Sequence, residues 1–194
     1  GDTMIIPNRT YPSVPCEIIH AGLKVQFDVM HPQVKDGKLK GPYQLIGSHV
    51  WDAALRFTHN MYQKDQFMCI SMTGGLKNFK AGAKMGAILT DDPNAAAWFR
   101  RARFSGRREV PYMEDNLDLT GWNYYLNPEL ACRGLILMTG FYEDGKPLQI
   151  EDKELPYPDL SQFAVYTQPK QNFNRDELIE ILTLYNQPHP DSGT

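Results

Sequence analysis

The sequence predicts an α/β fold built on a mainly parallel or mixed sheet. Short apolar runs near the N-terminus enclose a stretch with helical spacing, further apolar runs recur to about residue 90, and a well-marked helix follows them. The runs "TMIIP" and "KVQFDV" read as short buried strands, and "VPCEIIHAG" between them reads as a helix ending at Gly22. A crossover of that kind is what parallel pairing requires.

The next segment, "YQLIGSHVWDAALRF", reads as a strand that meets Asp52 near its end, and "FMCISM" and "MGAILT" read as two more strands. The clearest helix is "DDPNAAAWFRRARF": Asp91 or Asp92 can cap it, Pro93 suits its first turn, and Ala95 to Ala97 favour its interior. A second helix is expected from about Pro128 to Met138. A third is expected from about Arg175 to Tyr185, opened by Asn174 with Glu177 three residues on. The polar, proline-bearing "GFYEDGKPLQIEDKELPYPD" reads as loop, and the tail "NQPHPDSGT" as disordered. The chain opens at "GDTMIIP" almost directly into a strand, as though an upstream segment had been removed or were never present.

Composition sets limits on function. The chain has 194 residues, 42% hydrophobic and 22% charged, which suits one domain with a real core. It has no apolar run long enough to span a bilayer and no signal-peptide pattern at its start, which points to a cytoplasmic setting. Cys16, Cys69 and Cys132 are odd in number and far apart, so they read as reduced core residues. The five histidines show no paired metal spacing, and no metal is assigned. A net charge of -3 exerts no general pull on nucleic acid. "RRARFSGRR" concentrates five arginines between 100 and 108, either as a solvated helix end or as a phosphate contact.

Two features could carry chemistry. "SMTGGLKNFKAGAKMG" combines Gly74, Gly75, Gly82 and Gly86 with Lys77, Lys80 and Lys84, which suits an anion cradle and equally a surface turn. Asp52, followed by Ala53 and Ala54, is either a helix cap or a carboxylate facing a site at the carboxyl edge of the sheet. Together they match one chemical need. Pyridoxal phosphate requires a lysine to carry it, a carboxylate to keep its pyridine nitrogen protonated, and donors for its phosphate.

The order "GDTMIIPNRTYPSVPCEIIHAG", "VWDAALRF", "CISMTGGLKNF", "GAILTDDP", "ARFSGRREVPYMEDN", "GWNYYLNPELACRG" and "YPDLSQFAVYT" resembles the DegT/DnrJ-type pyridoxal-phosphate-dependent aminotransferases, in a shortened branch. The resemblance covers roughly residues 1 to 167, with 168 to 194 as a C-terminal helix and flexible tail. It implies a three-layer sandwich with a mainly parallel mixed sheet, an abbreviated aspartate-aminotransferase-like large domain. It also implies a homodimer with sites at the subunit interface, and amino transfer from an amino-acid donor to a nucleotide-linked keto-sugar. Carried over by position, Asp52 pairs with the pyridine nitrogen, Lys77 holds the cofactor and takes the substrate's α-proton, and Ser71 donates to the phosphate. Asn123 in "GWNYY" reaches the phosphate of the neighbouring subunit.

The chain departs from that pattern in five places. One extra residue lies between Ser71 and Lys77, Thr73 replaces a histidine, "AGAKMG" replaces a Gly-rich run, and Leu55 stands where many members have a polar side chain. The family's upstream segment, which supplies the phosphate-binding turn and a residue stacking on the ring, is expected to be missing. These departures leave an alternative: a non-catalytic relative serving as a binding or assembly subunit. Trp122, Tyr124 and Tyr125 also read as ordinary core and interface packing.

Overall fold

The computed structural model describes residues 2–72, 85–139, 142–143, 146–147 and 154–168. The expected helix from Arg175 to Tyr185, the tail, and the lysine-bearing loop with Lys77, Lys80 and Lys84 lie outside the described residues.

The opening unit forms as expected. Strand β1 (Thr3–Pro7) leads into helix α1 (Ser13–His20), which returns the chain to β2 (Lys24–Asp28), and the two strands pair in parallel from Thr3↔Lys24 to Pro7↔Asp28. The helix stops because Gly22 adopts φ +78°. Its N–H reaches Ile19 O, and Leu23 N–H reaches Ile18 O, so two terminal carbonyls are satisfied.

A tight hairpin follows, β3 (Val34–Lys35) and β4 (Lys38–Lys40), turning on Asp36 and Gly37 at φ +48° and +75°. Two consecutive positive φ values suit the twist of a two-residue hairpin. The single strand expected through "YQLIGSHVW" is instead two, β5 (Tyr43–Gln44) and β6 (Val50–Asp52), paired antiparallel. Gly47 at φ +103° and Ser48, whose hydroxyl donates to Leu45 O, make the turn between them. An added Cβ on Gly47 would lie 2.9 Å from Thr3 O, so that turn also sits close against β1.

Strand β7 (Phe67–Ser71) pairs in parallel with β6, and β8 (Gly86–Leu89) pairs antiparallel with β7. Helix α2 (Pro93–Ala102) opens as anticipated, with Asp92 accepting from Asn94 N–H at 2.8 Å. Its Phe99 stands edge-on to Phe67 at 5.8 Å, fastening the helix to the sheet. Helix α3 (Pro128–Thr139) covers the expected second helix.

The segment read as loop carries short strands: β9 (Tyr142–Glu143), β10 (Lys146–Pro147) and β11 (Glu154–Pro156). β11 adds to β4, and helix α4 (Ala164–Thr167) is the last element among the described residues.

The fold is mixed α/β, with the four-stranded sheet ordered β5-β6-β7-β8. The expectation of a mainly parallel sheet is corrected. Among the described residues β1–β2 and β6–β7 are parallel while the other strand pairs are antiparallel. For β3–β4 and β5–β6 the physical reason is loop length, because Asp36-Gly37 and residues 45–49 are too short to carry a parallel crossover.

One core cluster gathers Met4, Ile6, Ile18, Leu39, Tyr43 and Leu55, and a second gathers Ala53, Met68 and Ile70. No helix among the described residues is long and apolar enough to cross a membrane.

Candidate functional site

The site begins with strand register. Tyr43 lies opposite Asp52, and Asp52 lies beside Cys69. Side chains alternate along a strand, so Tyr43, Asp52, Cys69 and Ser71 share one face of the sheet. Trp51, Met68, Ile70 and Leu89 belong to the other face, with the second core cluster. One face is therefore mainly apolar and packs with the second core cluster, while the other carries the sheet's acid, phenol, thiol and hydroxyl.

Asp52 ends β6 half-buried, and both its carboxylate oxygens are held. Oδ1 accepts from Ala54 N–H at 2.9 Å, and Oδ2 accepts from the Tyr43 hydroxyl at 3.0 Å. That hydroxyl is also 2.5 Å from Thr10 Oγ1. Thr10 is fully buried and Tyr43 is 2% exposed, so bulk water does not compete for these bonds.

Three weak acids near Asp52 are held in their neutral forms. Burial, then the charge of Asp52, pushes the Tyr43 phenol well above its ordinary value. The same two causes push the Cys69 thiol up to about 11. Tyr157 rises to about 12 through burial, Asp52 and then Tyr11. All three stay protonated at neutral pH.

His31 stands edge-on to Tyr43 at 5.9 Å, with Nδ1 accepting from Gln33 N–H. Burial lowers its pKa, against an opposing pull from Asp28. Tyr11 meets Tyr157 edge-on at 6.3 Å, and Arg9 Nη1 donates to Tyr157 O at 2.6 Å.

The residues singled out from the sequence separate into three groups. Asp52 and Ser71 come together at the carboxyl end of the parallel pair β6–β7, with Ser71 two residues beyond the register partner of Asp52. Ideal sheet spacing and strand rise put their Cα atoms roughly 8 Å apart. Lys77 lies outside the described residues. Asn123 sits elsewhere, exposed, in an extended segment bridged to Phe104 beside the end of α2.

That segment is pinned by backbone bonds from Trp122 N–H to Ala102 O and from Tyr124 N–H to Arg103 O. Trp122, Tyr124 and Tyr125 are 52%, 70% and 56% exposed, so core packing is not their role in this chain. Leu55, which stands where many members of the resembled family have a polar side chain, is buried in the first core cluster.

The arginine run is largely engaged within the chain. Arg101 pairs with Asp118, and Arg108 Nε donates to Asp115 Oδ1 at 3.1 Å. Burial alone would raise the Asp115 carboxyl, but the bonds from Arg108 outweigh it and hold the group below its usual range. Arg107 lies between the rings of Phe104 and Tyr112, at 5.1 and 5.0 Å.

No protein-family model, no curated protein and no solved structure matches the chain. Its chemistry rests on its own residues.

Thr10, Tyr43 and Tyr157 were missed in the sequence. Thr10 and Tyr43 meet only through strand pairing, and a lone tyrosine in "GPYQLIG" looks like any strand aromatic. The cysteines are free, as expected, but they are not core residues: Cys16 and Cys69 are half-buried and Cys132 is exposed. Among the described residues no cluster of three His, Cys, Asp or Glu could hold a metal ion.

Proposed function

We propose that the chain is a pyridoxal-phosphate-dependent aminotransferase acting on a nucleotide-linked keto-sugar. The reading includes an abbreviated aspartate-aminotransferase-like three-layer fold, a homodimer and a cytoplasmic setting. The observation that carries it is Asp52: a carboxylate fixed through both oxygens, on the same sheet face as Ser71, with weak acids around it that stay neutral. The donor set fits the cofactor at both ends, since an anionic acceptor suits a pyridinium N–H and a hydroxyl suits a phosphate.

When bound, the cofactor supplies an electron-withdrawing ring that weakens the bonds at an amino acid's α-carbon. Asp52 keeps the proton on the ring nitrogen, because an opposite charge favours the protonated form. Ser71 donates its hydroxyl to the phosphate, and Asn123 supplies a contact to the phosphate of a second subunit. Lys77 holds the cofactor and moves the α-proton, a role that needs a free amine. The test is to incubate the full chain with pyridoxal phosphate, reduce with borohydride and map the adduct by peptide mass spectrometry. Adduct on Lys77 supports the reading. A folded chain that forms none sinks it.

A second reading, a non-catalytic relative acting as an assembly or binding subunit, is favoured by one observation. Leu135 and Ile136 on α3 are 70% and 65% exposed, a poor arrangement for a helix facing only water. A chain that assembles tightly yet takes up no cofactor fits this reading.

A further inference from the structure

We propose that Tyr43 is a positioning residue for Asp52: its hydroxyl, supplied by Thr10, directs its one proton into Asp52 Oδ2 and holds that carboxylate ionised and fixed in orientation. The inference deepens the reading above, on which Asp52 serves a cofactor's ring nitrogen.

The argument is a proton count. An ionised carboxylate only accepts, so the 3.0 Å bond between Tyr43 and Asp52 uses the single phenolic proton. The 2.5 Å contact between Thr10 and Tyr43 must then run the other way, with Thr10 donating. The three groups form a directed chain from Thr10 to Tyr43 to Asp52. Its two upstream members are buried, so water does not replace a lost donor.

The backbone N–H of Ala54 fixes the other oxygen, and a carboxylate held at both oxygens cannot rotate freely. A donor to the charged form of an acid favours that form. Losing the phenol therefore removes one restraint on the carboxylate and raises its affinity for a proton. Among the described residues the ionisable groups around Tyr43 and Asp52 include Cys69 on β7, Tyr157 and Tyr11, His31 with Asp28 behind it, and Arg9 bonded to the Tyr157 carbonyl. Tyr43 is the one whose hydroxyl donates to Asp52 Oδ2.

The test uses the full chain as wild type, Tyr43→Phe, Thr10→Val, Thr10→Ser and Asp52→Asn. Two readouts are taken: the carbon-13 carboxyl titration of Asp52 without cofactor, and the pH dependence of pyridoxal phosphate affinity. Tyr43→Phe is expected to move the Asp52 midpoint to higher pH. Affinity should fall about tenfold, with the acid limb displaced the same way. Thr10→Val should move the midpoint less and Thr10→Ser should restore it, and these two carry the test if Tyr43→Phe does not fold.

An unmoved midpoint, or an affinity loss equal at every pH, overturns the proposal. The aminotransferase reading fails separately, if the wild type does not bind pyridoxal phosphate or Asp52→Asn binds it equally well. In that event a displaced midpoint still establishes what Tyr43 does to Asp52.

Discussion

Tyr43 and Asp52 face each other across an antiparallel pair, and the phenol of one is hydrogen-bonded to the carboxylate of the other at 3.0 Å. The same tyrosine belongs to the first core cluster, so the residue that holds the acid also holds the fold.

That double membership separates two substitutions. Tyr43→Phe keeps the ring and removes the hydroxyl, leaving buried polar partners unsatisfied, and should cost about 1–3 kcal/mol. Tyr43→Ala also opens a cavity and should cost about 3–5 kcal/mol. Urea unfolding of both variants checks the order. Equal losses would mean that the ring's packing adds nothing beyond the hydroxyl bonds.

Alkaline stability should fall first through Cys69. Its folded pKa lies near 11 against an ordinary 9.0, so the folded state holds the proton more tightly. The stabilisation is complete below pH 9 and is lost as pH rises to about 11. For a two-unit shift this amounts to about 2–3 kcal/mol. Cys69→Ala should flatten the unfolding free energy across that window. A slope as steep as the wild type's would assign the loss to other groups.

Acid stability should involve His31. Its folded pKa is depressed below 6.5 by burial, so the unfolded chain binds the proton more readily. The contribution of neutral His31 is present above pH 6.5 and fades as pH falls through the folded value. His31→Asn keeps an acceptor for Gln33 N–H without a titrating ring, and should lose less stability than the wild type between neutral and mildly acidic pH. Parallel stability curves for the two proteins would remove His31 from the account.

Gly121 controls how Asn123 is presented. A Cβ there would lie 2.3 Å from Gly106 N and 2.5 Å from Ala102 O, both backbone atoms with little room to move. Gly121→Ala should detach the segment carrying Trp122 and Asn123 from the end of α2, at a cost of at least about 2 kcal/mol. Faster proteolysis between residues 103 and 125 would report it. An unchanged cleavage pattern would show that the loop relaxes without cost.

Local chemistry explains what could be read in advance. Gly22 closes α1 and Asp92 opens α2 through contacts within a few residues, so both helices were legible. The Asp36-Gly37 turn was equally local and was passed over, though an Asp-Gly pair is among the stronger hairpin signals. β11 was not legible, because "ELP" becomes a strand only by pairing with residues 38–40 far upstream. Asp52 and Ser71 stood out through their motifs. Tyr43 and Thr10 did not, because their meaning depends on which strands lie side by side.

Leu155 on β11 lies across from Leu39, a member of the first core cluster, and packs against that cluster. Glu154 stands between Lys38 and Lys40 at distances typical of weak surface pairs. The seam over Leu39 is thus closed by one of the last described strands. On the ribosome, every chain that has not yet released residue 155 carries Leu39 without this cover, together with the unpaired edge of β4. Synthesis time sets how long that edge stays open, and slow translation or early termination would expose it to sticking.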